Sequence, residues 1–161
     1  MMLLSSAPGW LAIILFLLLI LAAMEDVWRL QIEDWMSAAV ALCAFLAVAI
    51  DGPAGAIWEN LLLFAAVLGI GTLLFARGWM GGGDVKLLAA SALWFDLSQG
   101  WKMLVAVALA GGLETLIVMT LRSMPWPPAL RRRLAVLRRD EAIPYGVAIA
   151  VGVTLVGLVA R

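Results

Sequence analysis

The sequence predicts an all-α membrane protein, a single domain over residues 1–161 folded as a polytopic bundle of six transmembrane helices with its N-terminus outside. Three observations carry this reading. First, 65% of the 161 residues are hydrophobic and 14% charged, and the mean hydropathy is +1.07; an ordinary soluble chain is about half apolar and about a quarter charged. One small core would leave too little polar surface to cover so much apolar side chain. Second, the apolar residues gather into six runs, and six crossings of about 20 residues each use about 120, leaving no room for a separate soluble domain. Third, the basic residues fall overwhelmingly into alternate loops.

The runs are Trp10–Met24, Trp35–Ile50, Ile57–Ala76, Val85–Phe95, Met103–Leu121 and Ala142–Ala160. The first ends on Leu21-Ala22-Ala23, small residues like those after a secretory signal, but no basic stretch precedes it, so a retained helix is expected. The third and fifth carry Gly69/Gly71 and Gly111/Gly112, small-residue pairs that permit close helix packing. The fourth is short: about 11 residues rise only about 16 Å as a helix, so it must borrow flanking residues or begin below the headgroups. It is preceded by Gly81-Gly82-Gly83-Asp84, a helix-breaking stretch that ends in a carboxylate. Between the fifth and sixth runs, Pro125-Trp126-Pro127-Pro128 leads into Arg131-Arg132-Arg133-Leu134-Ala135-Val136-Leu137-Arg138-Arg139, a basic amphipathic stretch suited to an anionic inner surface. Trp10, Trp35, Trp58, Trp79, Trp94 and Trp101 stand near run ends and read as interface anchors.

With the N-terminus outside, Arg29, Arg77, Lys86, Arg122, Arg131, Arg132, Arg133, Arg138 and Arg139 lie on the cytoplasmic side, and only Lys102 and Arg161 lie outside. Such a positive-inside bias would collapse if the short fourth run did not cross. The formal net charge is zero, which gives no reason to expect nucleic acid as a partner. The chain has no His, and its single Cys43 sits in an apolar run as a small buried hydrophobe. No internal disulfide and no Cys/His metal cluster can form, no cofactor is implied, and acid–base chemistry falls to carboxylates.

Most acidic residues sit at loops: Asp51, Glu59 and Asp96 at outer ends, Asp140 and Glu141 before the last run. Asp26, Asp84 and Glu114 do not. Ionisable groups at membrane depth cost several kcal/mol unless they pair or face a wet cavity. Glu114, near the middle of the fifth run, is expected to make a buried hydrogen bond or helix contact. Asp26 and Asp84 fall on the same side at similar depth. Two such carboxylates can share one proton, the ionised partner activating water and the protonated one hydrogen-bonding a substrate carbonyl, which is aspartyl peptide hydrolysis. Gly81, Gly82 and Gly83 would break the helix and let an extended substrate approach the backbone. On local sequence alone a loop with a solvated aspartate stands beside this reading. So does a non-enzymatic transporter or assembly subunit whose aspartates bind a cation or proton.

Three segments carry a family resemblance. Gly78-Trp79-Met80-Gly81-Gly82-Gly83-Asp84-Val85-Lys86-Leu87-Leu88-Ala89-Ala90 closely resembles the Gly-x-Gly-Asp-x-Lys signature of type IV prepilin peptidases, polytopic aspartic proteases of bacterial pilus and secretion systems. Asp26-Val27-Trp28-Arg29-Leu30-Gln31-Ile32-Glu33-Asp34-Trp35 is similar to the family's first-aspartate segment, with Glu33-Asp34 in place of Pro-Asn. Ile143-Pro144-Tyr145-Gly146 resembles an element near the last helix. The glycines and Asp84 alone also fit presenilin-like proteases; the length, Lys86 and Ile-Pro-Tyr-Gly favour the prepilin type.

The resemblance implies a catalytic pair Asp26 and Asp84, with Gly81, Gly82 and Gly83 shaping the site. Lys86 is either a site contact or a snorkelling side chain, and Pro144 sets the start of the final helix. It implies a bacterial inner-membrane enzyme of the short Flp or tight-adherence type, cutting prepilin or pseudopilin precursors after glycine at the cytoplasmic face. Glu33 and Asp34 would attract a basic leader. The cysteine-rich insert of longer members is missing, so N-methyltransferase activity is not expected. If the dyad shares a proton, leader removal should show a bell-shaped pH dependence that Asn at position 26 or 84 abolishes rather than shifts; a displaced but intact bell in either variant would contradict it.

Overall fold

The computed structural model describes residues 3–51, 57–127, 130, 134–137 and 143–160. Over these the chain forms helices α1 (Leu3–Ser6), α2 (Gly9–Arg29), α3 (Asp34–Asp51), α4 (Ile57–Ala76), α5 (Gly82–Ala92), α6 (Leu97–Ser123) and α7 (Gly146–Val159), with a 3-10 turn at Ala135–Leu137 before α7. Helices α2, α4 and α6 are long and apolar enough to cross a membrane; Asp34–Ile50 of α3 and the whole of α7 are shorter apolar helices. Large apolar side chains face outward along the long helices: Leu17, Leu109 and Leu116 are 54%, 70% and 64% exposed. Such a surface suits lipid rather than water. The protein is a helical membrane protein.

The shortest run forms the centre. Helix α5 packs against α3, α4 and α7, and it buries Asp84, Val85, Leu87, Ala89, Ala90, Ser91 and Ala92. Rising about 16 Å, it covers only about half of a hydrocarbon core of about 30 Å. It ends inside protein, where the carbonyls released at a helix C-terminus need partners. Asn60 Nδ2 donates to Leu93 O at 2.9 Å and the Leu4 amide donates to Trp94 O at 3.4 Å. Trp94 itself is fully buried, and its indole N–H donates to Val40 O at 3.2 Å. It is therefore no interface anchor, contrary to its place near a run end, because the chain just past α5 carries its side chain into the packed interior. The small helix α1, too short to register as an apolar run, buries Leu3 and Leu4 over that same end.

Other boundaries shift for local reasons. Helix α6 starts six residues before the predicted Met103, at Leu97, because Asp96 Oδ1 caps it by accepting from the Gln99 amide at 2.9 Å. Helix α2 runs past Met24 to Arg29, so Asp26 lies inside the helix rather than after it. Helix α7 begins at Gly146, two residues after the buried Pro144, which has no N–H to give. The arginines at 131–133, 138 and 139, with Asp140, Glu141 and Ala142, lie outside the described residues.

Only one glycine of each predicted pair serves packing. A Cβ at Gly71 would sit 2.6 Å from Val85 Cγ1 and one at Gly111 would sit 3.0 Å from the Tyr145 ring, whereas Gly69 and Gly112 face open space. The tightest approach to backbone is at Gly152 of α7, where a Cβ would lie 2.6 Å from the Val107 amide nitrogen and 2.8 Å from its Cα. Backbone cannot yield as a side-chain tip can. Gly152→Ala should thus cost about 1–3 kcal/mol through overpacking, while Gly69→Ala should be neutral or stabilising by up to about 1 kcal/mol. Thermal unfolding in detergent measures both, and equal midpoints for the two variants would contradict the α6–α7 contact.

Candidate active site

Asp26 sits one turn before the end of α2 and is 3% exposed. Its Oδ2 accepts from the Gly146 amide at the first residue of α7, at 2.6 Å. Close approach requires that glycine: a Cβ on residue 146 would lie 2.9 Å from Asp26 Oδ2 and 3.0 Å from Asp26 Cβ. Helix α2 is closed by Leu30, whose φ of 54° and ψ of 35° are left-handed and whose amide donates to Asp26 O at 2.8 Å. For a branched apolar residue this conformation stores about 1–3 kcal/mol. It turns the chain sharply, so that Gln31 and Ile32 come back past Asp26 toward α5.

Asp84 occupies the first turn of α5, which the extended residue Gly81 caps at φ −69° and ψ 145°. Its carboxylate folds back against Gly81, with Oδ2 2.6 Å from where a Cβ on that glycine would stand. Its Oδ1 is buried and accepts from no group among the described residues. Glycine is needed at 83, where a Cβ would stand 2.8 Å from Ile32 O, a backbone atom. Ile32 is thereby wedged between the starts of α5 and α7, its Cδ1 3.1 Å from where a Gly146 Cβ would be.

These elements enclose a cavity of about 580 Å³ lined by Asp26, Leu30, Gln31, Ile32, Glu33, Asp34, Trp35, Gly81, Gly82, Gly83 and Asp84. Seven of the eight residues singled out from the sequence thus line one space. Lys86 does not line it. Its Nζ donates to both oxygens of Asp34 at 2.7 Å, tying α5 to the start of α3. Glu33 is engaged as well, by Arg29 at 3.7 Å and by the Trp35 indole N–H at 2.8 Å, so both acidic residues of the α2–α3 loop already face a cation. Glu114 lies off the cavity on α6, where its Oε2 accepts from the Ala148 amide at 3.1 Å. A larger groove of about 870 Å³ between α2 and α7 is lined by apolar side chains and Thr154 and holds no titratable group. Among the described residues no cluster of His, Cys, Asp and Glu is suited to a metal ion.

Fold and cavity together define a helical membrane protein with an acidic, glycine-lined site where the end of α2 meets the starts of α5 and α7. Residues 13–121 match the type IV leader peptidase family, over more than half of the chain, and the protein belongs to that family. The match includes Asp26, Asp84 and Glu114 and stops short of Gly146. No curated protein and no solved structure matched the chain.

Sequence reasoning left Gly146 without a role and did not find Ile32. The glycine after Pro144 was the available signal, since a glycine opening a helix allows another side chain to lie against its backbone. The Lys86–Asp34 pair is half exposed on one side and 75% exposed on the other. Lys86→Met should therefore change stability by less than about 1 kcal/mol, and by less still at high salt. Thermal unfolding in detergent at low and high ionic strength checks this; a loss above about 2 kcal/mol that salt leaves unchanged would contradict it.

Proposed function

We propose that this protein is a membrane aspartic endopeptidase that removes the leader peptide from type IV, Flp-like prepilins or pseudopilins at the cytoplasmic face of the bacterial inner membrane, with Asp26 and Asp84 as its catalytic dyad. The observation that carries the reading is the shared cavity: two buried carboxylates from separate helices line one space, inside a chain of the type IV leader peptidase family.

Like charges close together in a low-dielectric site cannot both ionise, so the pair holds one proton between them. The ionised carboxylate takes a proton from a water molecule as its oxygen attacks the scissile carbonyl carbon, and the protonated partner passes its proton to the carbonyl oxygen. The resulting diol collapses when one hydroxyl proton returns to a carboxylate and the departing nitrogen receives the other carboxyl proton. The C–N bond breaks, and the dyad is left with one proton as before. Gly146 holds Asp26 by one oxygen, and the unpartnered Oδ1 of Asp84 suits a group that must bond substrate. The extended backbone at Gly81 offers an edge for a substrate strand, because a peptide must leave its helix before its carbonyl can be attacked.

Orientation belongs to the same proposal. Six crossings with the N-terminus outside set the great majority of the Lys and Arg residues on the cytoplasmic side and bring the cavity there too. Glu33 and Asp34, now matched by Arg29 and Lys86, are where a basic leader would compete for acidic partners. Cleavage after a small residue such as glycine suits a site crowded by Ile32 and Leu30. The alternative, an assembly subunit or transporter that uses the aspartates for a cation or proton, predicts no covalent change in any precursor.

Co-expression of a Flp-like prepilin with the wild-type chain, Asp26→Asn or Asp84→Asn separates these readings on a gel. Wild type should shorten the precursor and each Asn variant should leave it full length, a loss of at least about 10³-fold if each carboxylate is needed for proton transfer. Normal processing by either variant would falsify the dyad.

A further inference from the structure

Helix α7 begins against two carboxylates from different helices. The first N–H groups of a helix have no intrahelical acceptor, and in α7 the Ile149 amide bonds back to Tyr145 O at 3.0 Å. Ahead of it, Gly146 donates to Asp26 on α2 at 2.6 Å and Ala148 donates to Glu114 on α6 at 3.1 Å. Both donors are buried, with Ala148 only 1% exposed, so bulk water cannot replace either acceptor. Gly111, one turn before Glu114 on α6, brings that helix against the same first turn: a Cβ there would lie 3.0 Å from the Tyr145 ring and 3.5 Å from Ala148 Cβ. Helix α6 therefore holds the start of α7 by a steric fit on one turn and a hydrogen bond on the next.

Asp26 has little freedom on the opposite side of that turn, since the space a Gly146 Cβ would occupy is filled by Asp26 and Ile32. Any shift of the first turn of α7 moves the donor that fixes the Asp26 carboxylate. We propose that Glu114 is a positioning residue for Asp26: by accepting the Ala148 N–H it fixes the first turn of α7, and through the Gly146 N–H it sets the orientation of the Asp26 carboxylate at the cavity. Glu114 does not line that cavity, and its Oε2 meets the Ala148 N–H instead. The inference rests on the catalytic role proposed for Asp26 and adds a residue to it. Its acceptor, not its charge, is what the geometry uses. Glutamine keeps the acceptor, whereas methionine keeps the bulk but offers only a weak one.

The test compares full-length wild type, Glu114→Gln, Glu114→Met and Asp26→Asn, purified in detergent, for kcat and KM on a Flp-like prepilin, with the amount of intact protein recovered from membranes. Glu114→Met should lower kcat by about 10- to 100-fold with KM within about twofold, as expected for a slightly misplaced catalytic group, while Glu114→Gln stays within about threefold of wild type. Wild-type kcat in Glu114→Met, or a Glu114→Gln enzyme as impaired as Glu114→Met, overturns the proposal. So does a Met variant lost from membranes beside a normally active Gln variant, which marks a purely structural role. Processing by Asp26→Asn overturns the dyad and this inference with it; an inactive Asp26→Asn beside a fully active Glu114→Met overturns the inference alone.

Discussion

The site depends on the burial of a helix that is too short to span a bilayer. Helix α5 is packed by α3, α4 and α7, and the chain just past its far end is held by Asn60 on Leu93 O and by the Leu4 amide on Trp94 O. Backbone groups left unpaired in hydrocarbon cost several kcal/mol each, so an 11-residue helix needs protein partners near its end, and Asn60 and Leu4 supply two of them. Its shortness has a consequence at the other end. The chain reaches Asp84 through Gly81, in extended backbone, where a full-length span would have continued as helix and hidden its carbonyls.

Glycine then does what side chains cannot. At 83 it admits Ile32 O against the start of α5, and at 146 it admits Asp26 against the start of α7. Ile32 fills the space between the two, so the α2–α3 loop, strained at Leu30, is pressed toward both helix starts. Asp26 is held through one oxygen by a backbone N–H from another helix, while Asp84 keeps a buried oxygen without a partner among the described residues. Hydrogen bonding of this kind orients a carboxylate while leaving its second oxygen for chemistry.

Much of this was legible in the amino-acid order. Apolar runs mark the helices, and of the glycine triplet before Asp84 only Gly81 is the break that opens α5, since Gly82 and Gly83 already belong to that helix. Asp26 and Asp84, expected on one side, do line one cavity. The illegible parts are those that depend on tertiary partners. Trp94 reads as an anchor because a tryptophan at a run end commonly meets the interface, and only its bonds to Leu4 of α1 and Val40 of α3 show that it is buried in the protein. Lys86 and Asp34 are 52 residues apart, and a pair at that separation leaves no periodic signal. Glu114 reads from the sequence as a hydrogen-bonding or helix-packing residue and does accept a hydrogen bond, but that its donor is the Ala148 amide depends on α6 and α7 lying side by side.

The central claim is that Asp26 and Asp84 act as one unit. Groups that do so are grossly non-additive: losing either costs about as much as losing both. Single-turnover cleavage of a prepilin, measured with excess enzyme for Asp26→Asn, Asp84→Asn and the double variant, tests this directly. A double variant that is no slower than the slower single variant is the result predicted by a dyad. Losses that multiply, with the double variant slower than either single variant by the other's full factor, would show two independent carboxylates and contradict the account.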